Sequence, residues 1–296
     1  MQRRDFIEGL AISGILLFLS PKHSFTKFLS YDSRDYIDNK TKEIFNSIIS
    51  LAQRQKWYKL NINKIIIKIA TYLLNSPYLA NPLEGDEEIC RIDMRGFDCV
   101  TLMETCLDMA RIIKKQKYSL DDLIQEITYT RYREGKIIDY TSRLHYTADW
   151  IFDNIEKKVI EDKTQKIGGI PIVFNLSFMS NNPNYYLSLK NNPELINKIK
   201  EIEKKINTRT YYYIPKAQVA SAEKELNSGD IIAFVTSKAG LDYSHIGIAI
   251  KMKKETRLLH ASLKNKKVMI DTSIYNYIKN ISTNIGITVL SPLNPI

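Results

Sequence analysis

A cysteine at the start of a helix and two histidines spaced for neighbouring strands are the residues of this chain best suited to nucleophilic chemistry. In the run Phe97-Asp98-Cys99-Val-Thr-Leu102-Met103-Glu-Thr-Cys106-Leu107-Asp-Met-Ala110, positions 99, 102, 103, 106, 107 and 110 follow the spacing of one helix face. Asp98 is a favourable N-cap residue, so Cys99 is expected at the first helical position. A thiol there faces backbone N–H groups and the positive end of the helix dipole. Both favour the thiolate, lowering the pKa from about 8.5 and sharpening the nucleophile. Cysteine is also a common small core residue, and Cys99 lies on the apolar face, so by itself it reads as packing. Cys106, one heptad on, fits packing better.

The downstream histidines change that balance. His245 opens an alternating stretch in which it shares a face with Gly247 and Ala249, while Ile246, Ile248 and Ile250 fill the other. Small neighbours leave open space before the imidazole. His260 sits on the next strand, and a hairpin closing over Met252-Lys253 would set it opposite His245, on the same side of the sheet. One ring could take the thiol proton while the other holds the first in its correct tautomer, the general logic of a catalytic triad. A two-residue slip would preserve the shared face; a one-residue slip would not. The chain has only four histidines. His23 falls near the N-terminus, and His145 is the remaining candidate for a site role.

The elements that must carry these residues point to an α+β fold. Residues from about 33 to 74 read as helical, with Ile44, Ile48, Ile49 and Leu51 as a partial stripe. Asn75-Ser76-Pro77 breaks the pattern and Asn81–Gly85 is a loop. The helix beginning near Asp98 follows, and residues 114–126 and 198–205 look helical again. From Asp230 onward the character becomes β: residues 230–236, 244–250, 257–262 and 285–290 are expected strands. Helices first and strands last argue for α+β. Residues 30–296 are read as a single domain.

The chain has 296 residues, 44% apolar and 26% charged, enough for a full core and unlike a disordered composition. Its formal charge of +10 is spread along the chain and suits an anionic partner. Neither zinc-finger spacing nor an RNP-like segment accompanies it, so nucleic acid is not expected as a partner. Residues 1–25 read as an address: Arg3-Arg4, then Phe6, then an apolar run from Leu10 to Leu19 too short for a stable span. This is similar to a twin-arginine export signal, which implies a periplasmic or cell-envelope location. With no A-x-A-like cleavage site in view, a retained segment would tie the chain to the membrane. Three cysteines in an exported chain leave at least one thiol unpaired, and their spacing is not that of a metal site.

Taken together, Phe97-Asp98-Cys99-Val-Thr-Leu-Met-Glu104, Tyr243-Ser244-His245-Ile-Gly-Ile248 and Leu258-Leu-His260-Ala-Ser262 resemble the bacterial N-acetylmuramoyl-L-alanine amidase-like family, part of the NlpC-type, papain-like superfamily of cell-wall cysteine hydrolases. Ser76-Pro77-Tyr78 with Leu83-Glu84, Arg143-Leu-His145-Tyr with Trp150, Asn175–Ser180 and Gly229-Asp230 extend the match from about residue 35 to the end. The resemblance implies a papain-like core, with the nucleophile on a helix N-terminus packed on an antiparallel sheet. It makes Cys99 the nucleophile, His245 the base and His260 the orienting member. Tyr78 would lie near the oxyanion with the Cys99 backbone N–H, and Asp98 would belong to that pocket. Glu84, His145, Trp150 and Ser244 become candidate substrate contacts, together with Tyr211-Tyr212-Tyr213, for which ordinary packing is the preferred reading. The Cys-to-His interval is longer than in simple members, so residues from about 115 to 215 are an expected insertion shaping the pocket. The implied substrate is peptidoglycan or a muropeptide, cut through a thioester without metal or cofactor. An acyltransferase or lipid-directed hydrolase on the same core, or a non-catalytic wall-binding module, are the alternatives.

Overall fold

The computed structural model describes residues 36–253 and 255–295; the expected export segment lies outside them. The first α-helices among the described residues are α1 (Asn39–Arg54) and α2 (Ile62–Tyr72). The sequence reads as helical throughout this stretch, but Lys56 adopts a left-handed conformation (φ 53°) and a short 3-10 turn intervenes. Asn61 then recaps the chain by accepting from Asn63 N. The third helix, α3 (Cys99–Lys114), begins where its N-cap predicts. It is the central helix, packed against α2 and against α4 (Leu120–Arg131), and every residue from Thr101 to Ile113 is buried. α5 (Thr147–Glu156) completes the larger helices of the first half.

Among the described residues the sheet is antiparallel and eight-stranded. Its strands are β1 (Ile160–Asp162), β2 (Ile170–Ile172), β3 (Tyr211–Pro215), β4 (Ile231–Thr236), β5 (Tyr243–Lys251), β6 (Thr256–Ser262), β7 (Lys267–Ser273) and β8 (Asn284–Pro292). Their spatial order is β2-β3-β8-β4-β5-β6-β7, with β1 alongside the far end of β8. Between the strands lie α6 (Phe178–Asn181), α7 (Leu187–Lys190), α8 (Pro193–Asn207), α9 (Val219–Ala222) and α10 (Ile274–Lys279). Mixed helices and antiparallel sheet make this an α+β protein.

Two apolar layers sandwich the sheet. The larger joins α1–α5 to one face through residues such as Leu102, Cys106, Ile246, Ile248 and Leu259. The smaller lies on the other face, where α9 and α10 cover Phe234, Ala249, Leu258 and Val289. The alternation expected along β5 is therefore real, with its isoleucines on the helical side. Residues 115–215 are more than a decoration: besides α4–α8 they contribute β1, β2 and β3, which extend the sheet beyond β8.

Candidate active site

Cys99, Tyr78, Ser244, His245 and His260 all line one open cleft of about 400 Å³. Four local devices bring them there. The first is the start of α3. Asp98 Oδ1 accepts from Thr101 N at 2.7 Å, while Thr101 Oγ1 accepts from Asp98 N at 3.1 Å, a reciprocal capping box. This fixes Cys99 as the leading helical residue, as its spacing predicted. The second is the chain segment around Tyr78. Tyr78 N donates to the Lys266 carbonyl (2.9 Å), and Leu79 N to Phe97 O (3.0 Å), so the segment is stitched between the β7 edge and the approach to α3. Gly96 permits this, because a Cβ there would stand 2.8 Å from the Pro77 carbonyl oxygen.

The third device is a bulge in β5. Phe234 pairs with His245 but Val235 pairs with Tyr243, leaving Ser244 as the extra residue. The bulge reverses the alternation, so Tyr243 packs with the helical layer while His245 faces the opposite side, against Phe234. Ser244 Oγ donates to Asn284 Oδ1 at 2.7 Å. The fourth is the β5–β6 register. Ile248 pairs with Leu259, two residues away from setting His245 directly opposite His260. A two-residue slip keeps both on one face, and the rings meet diagonally: His245 Nε2 lies 2.7 Å from His260 Nδ1, with the rings edge to face at 88°.

His260 is buried, and its other nitrogen, Nε2, lies 3.3 Å from Asp271 Oδ2 on β7. Asp271 Oδ1 accepts from Thr272 N at 2.7 Å, which anchors the carboxylate. Burial pulls the His260 pKa below its ordinary value, opposed by the Asp271 charge and hydrogen bond. Burial prevails, so this ring is held neutral at neutral pH. Tyr277 on α10 closes the aromatic box, its ring centroid 5.6 Å from that of His245 and 5.2 Å from that of His260. Neither Asp271 nor Tyr277 was singled out from the sequence.

The remaining candidates divide. Glu84, Asp98 and His145 line a separate, smaller cavity of about 100 Å³ on the helical side. There Arg143 Nη2 donates to Glu84 Oε1 at 2.7 Å, and His145 Nε2 donates to the Tyr140 carbonyl at 2.7 Å. Asp98 thus serves as helix cap and second-cavity wall rather than as a wall of the cleft that holds Cys99. Trp150 does not reach either cavity: α5 carries it into the large core, where it is buried. Tyr211 is likewise packed in that core, against Phe174. The other two cysteines are also buried, and burial pushes the thiol pKa of both Cys90 and Cys106 upward. Among the described residues no cluster of three or more His, Cys, Asp or Glu side chains is arranged to hold a metal ion.

The fold and cleft define a class: an α+β protein whose helix-capped cysteine shares one cleft with a hydrogen-bonded histidine pair. The chain belongs to the N-acetylmuramoyl-L-alanine amidase-like family, whose model matches residues 68–287. Among solved structures it is similar to an N-acetylmuramoyl-L-alanine amidase from Bacteroides uniformis. The two are 34% identical with a TM-score of 0.75, over 79% of this chain and 99% of that one. A Bacteroides fragilis protein with a provisional xylanase name is 36% identical with a TM-score of 0.68, over 75% of this chain and 98% of the other. A Legionella pneumophila protein at 23% identity and TM-score 0.65, covering 90% of this chain and 99% of that one, shares the fold. No curated protein matches.

Proposed function

We propose that this protein hydrolyses an amide bond of peptidoglycan through a Cys99 thioester, on a papain-like arrangement of helix and sheet. The observation that carries the reading is the 2.7 Å His245–His260 contact in the cleft that also contains the α3 tip. With Nε2 of His245 committed to His260, Nδ1 is the nitrogen assigned to the thiol. It takes the Cys99 proton as sulfur attacks the carbonyl carbon, and returns it to the departing amine. The tetrahedral oxyanion is assigned to the Tyr78 hydroxyl and the Cys99 backbone N–H at the positive end of α3. Water then adds to the thioester, losing its proton to His245, and the acid product leaves with the thiol restored.

The family and its B. uniformis neighbour favour the N-acetylmuramoyl–L-alanine amide as the bond cut; a link within the stem peptide is the alternative bond for the same machinery. A glycosidase reading needs two carboxyl groups flanking the bond. Among the described residues lining the cleft, Asp271 is the single carboxylate, and it faces His260. We also assign the protein to the cell envelope, on Arg3-Arg4, Phe6 and the Leu10–Leu19 run; its +10 charge suits an acidic wall polymer. The test is to incubate parent protein and Cys99→Ala with purified muropeptides and read products by mass spectrometry. Cleavage by the parent alone is expected; equal cleavage by both removes Cys99 from the mechanism.

A further inference from the structure

We propose that Asp271 is a positioning residue that sets the tautomer of both histidines through His260; this rests on the Cys99–His245 reading above. Three heavy-atom positions carry the argument: Asp271 Oδ2, His260 Nε2 at 3.3 Å from it, and His260 Nδ1 at 2.7 Å from His245 Nε2. A neutral imidazole has one donor and one acceptor nitrogen. A carboxylate accepts, so the proton of His260 sits on Nε2 and its Nδ1 becomes an acceptor. That acceptor requires a proton on Nε2 of His245. The proton on Nε2 leaves His245 Nδ1 as the basic nitrogen, the one the thiol needs. Every donor along the chain then meets an acceptor, and only one tautomer of each ring satisfies the sequence of contacts.

The alternative arrangement fails at a definite place. A proton on His260 Nδ1 would point at His245 Nε2 and push the His245 proton onto Nδ1, where it could not receive one from sulfur. Two features of the structure hold the first arrangement. Thr272 N–H clamps Oδ1 at 2.7 Å, so Asp271 presents Oδ2 to the ring. Tyr277 lies against both rings and Phe234 against His245, which restricts ring rotation. The groups facing His260 are His245 from β5, Asp271 from β7 and the Tyr277 ring from α10, and Lys264 is the cation lining the same cleft. When His245 becomes imidazolium during attack, Asp271 is the negative charge at the far end of the hydrogen-bond chain. Its position is therefore useful in the transition state as well as in the resting enzyme.

The test compares parent, Asp271→Asn and Cys99→Ala. The asparagine variant preserves shape and keeps an acceptor for Thr272 N–H, but its amide can present N–H to His260 Nε2 and favour the wrong tautomer. Turnover of a purified muropeptide is expected to fall about 10- to 100-fold in kcat with KM little changed, the scale of one charge-assisted hydrogen bond. Independently of turnover, iodoacetamide labelling of Cys99 is followed by mass spectrometry from pH 5 to 10. In Asp271→Asn its midpoint should move upward, with labelling at neutral pH about tenfold slower, because the thiolate–imidazolium pair has lost its distant counter-charge. Melting curves establish that the variant is folded; if it is not, Asp271→Ser, which removes the carboxylate while keeping a short polar group, is labelled in its place. Parent-like kcat and an unmoved labelling profile in the folded variant overturn the inference, even with Cys99→Ala inactive. An active Cys99→Ala overturns the underlying mechanism instead, and the two failures are therefore distinct.

Discussion

Replacing Gly247 by alanine probes whether the backbone itself tunes the histidine pair. An added Cβ would stand 2.6 Å from Leu258 Cδ1, 3.0 Å from the Leu259 carbonyl oxygen and 3.2 Å from His260 Cβ. Leu258 is fully buried in the smaller core and has little room to turn aside. Relief must therefore come partly from β6 backing away from β5 by a few tenths of an ångström. Overpacking of this kind costs about 1–3 kcal/mol, which at this chain length lowers Tm by about 2–5 °C. The same movement lengthens the 2.7 Å His245–His260 contact to about 3.0–3.2 Å, the outer part of the ordinary hydrogen-bond range. Weakening that bond by about 0.5 kcal/mol corresponds to roughly a two- to threefold drop in kcat. Thermal unfolding followed by circular dichroism, with steady-state muropeptide turnover on the same preparation, measures both effects. A variant that melts within 1 °C of the parent (about the resolution of the method) and turns over at the parent rate would refute the claim that this close approach sets the pair.

Two further outcomes follow from other parts of the frame. Asp98→Ala removes the acceptor of the buried Thr101 N–H and should destabilise the fold by about 1–2 kcal/mol in urea titrations, whereas Asp98→Asn, which keeps a capping oxygen, should recover most of the loss. Asp108 lies wholly inside the helical layer, where burial, with repulsion from Glu126 and Glu104 added, raises its carboxyl pKa well above the ordinary value. A raised folded-state pKa favours the fold below the unfolded value and withdraws that contribution as pH climbs through the folded one. Asp108→Asn should accordingly gain on the parent as pH rises from 5 to 9, in melting curves run across that range; a constant difference would contradict it.

The elements of the candidate site with strong local signals were readable from the residues. Asp98 and the apolar face from Cys99 to Ala110 announced α3 and its cap, because capping and helical periodicity are local effects. The β5 alternation placed His245 on the open side, and His260 followed within the stated two-residue tolerance. What stayed hidden depended on longer-range structure. β7 is an edge strand with half-buried residues along much of its length, so it shows no clean alternation, and Asp271 went unnoticed with it. Tyr277 sits on a six-residue helix whose meaning comes only from what it covers. β1 and β2 are three residues long and draw their order from β8 and β3. Trp150 was drawn toward the substrate by resemblance, whereas the facing of α5 turns it into the core. The bulge at Ser244 is invisible to any strict two-residue period.

β8, the last strand, lies in the interior of the sheet, flanked by β4 on one side and by β3 and β1 on the other. Until residues 284–292 have been made, β4 shows a bare edge and β3 has no partner on its β8 side. Sheet closure thus waits for β8, a non-local step of the kind that slows folding and prolongs exposure of sticky strands. A chain cut short before Asn284 would lose its keystone rather than a tail.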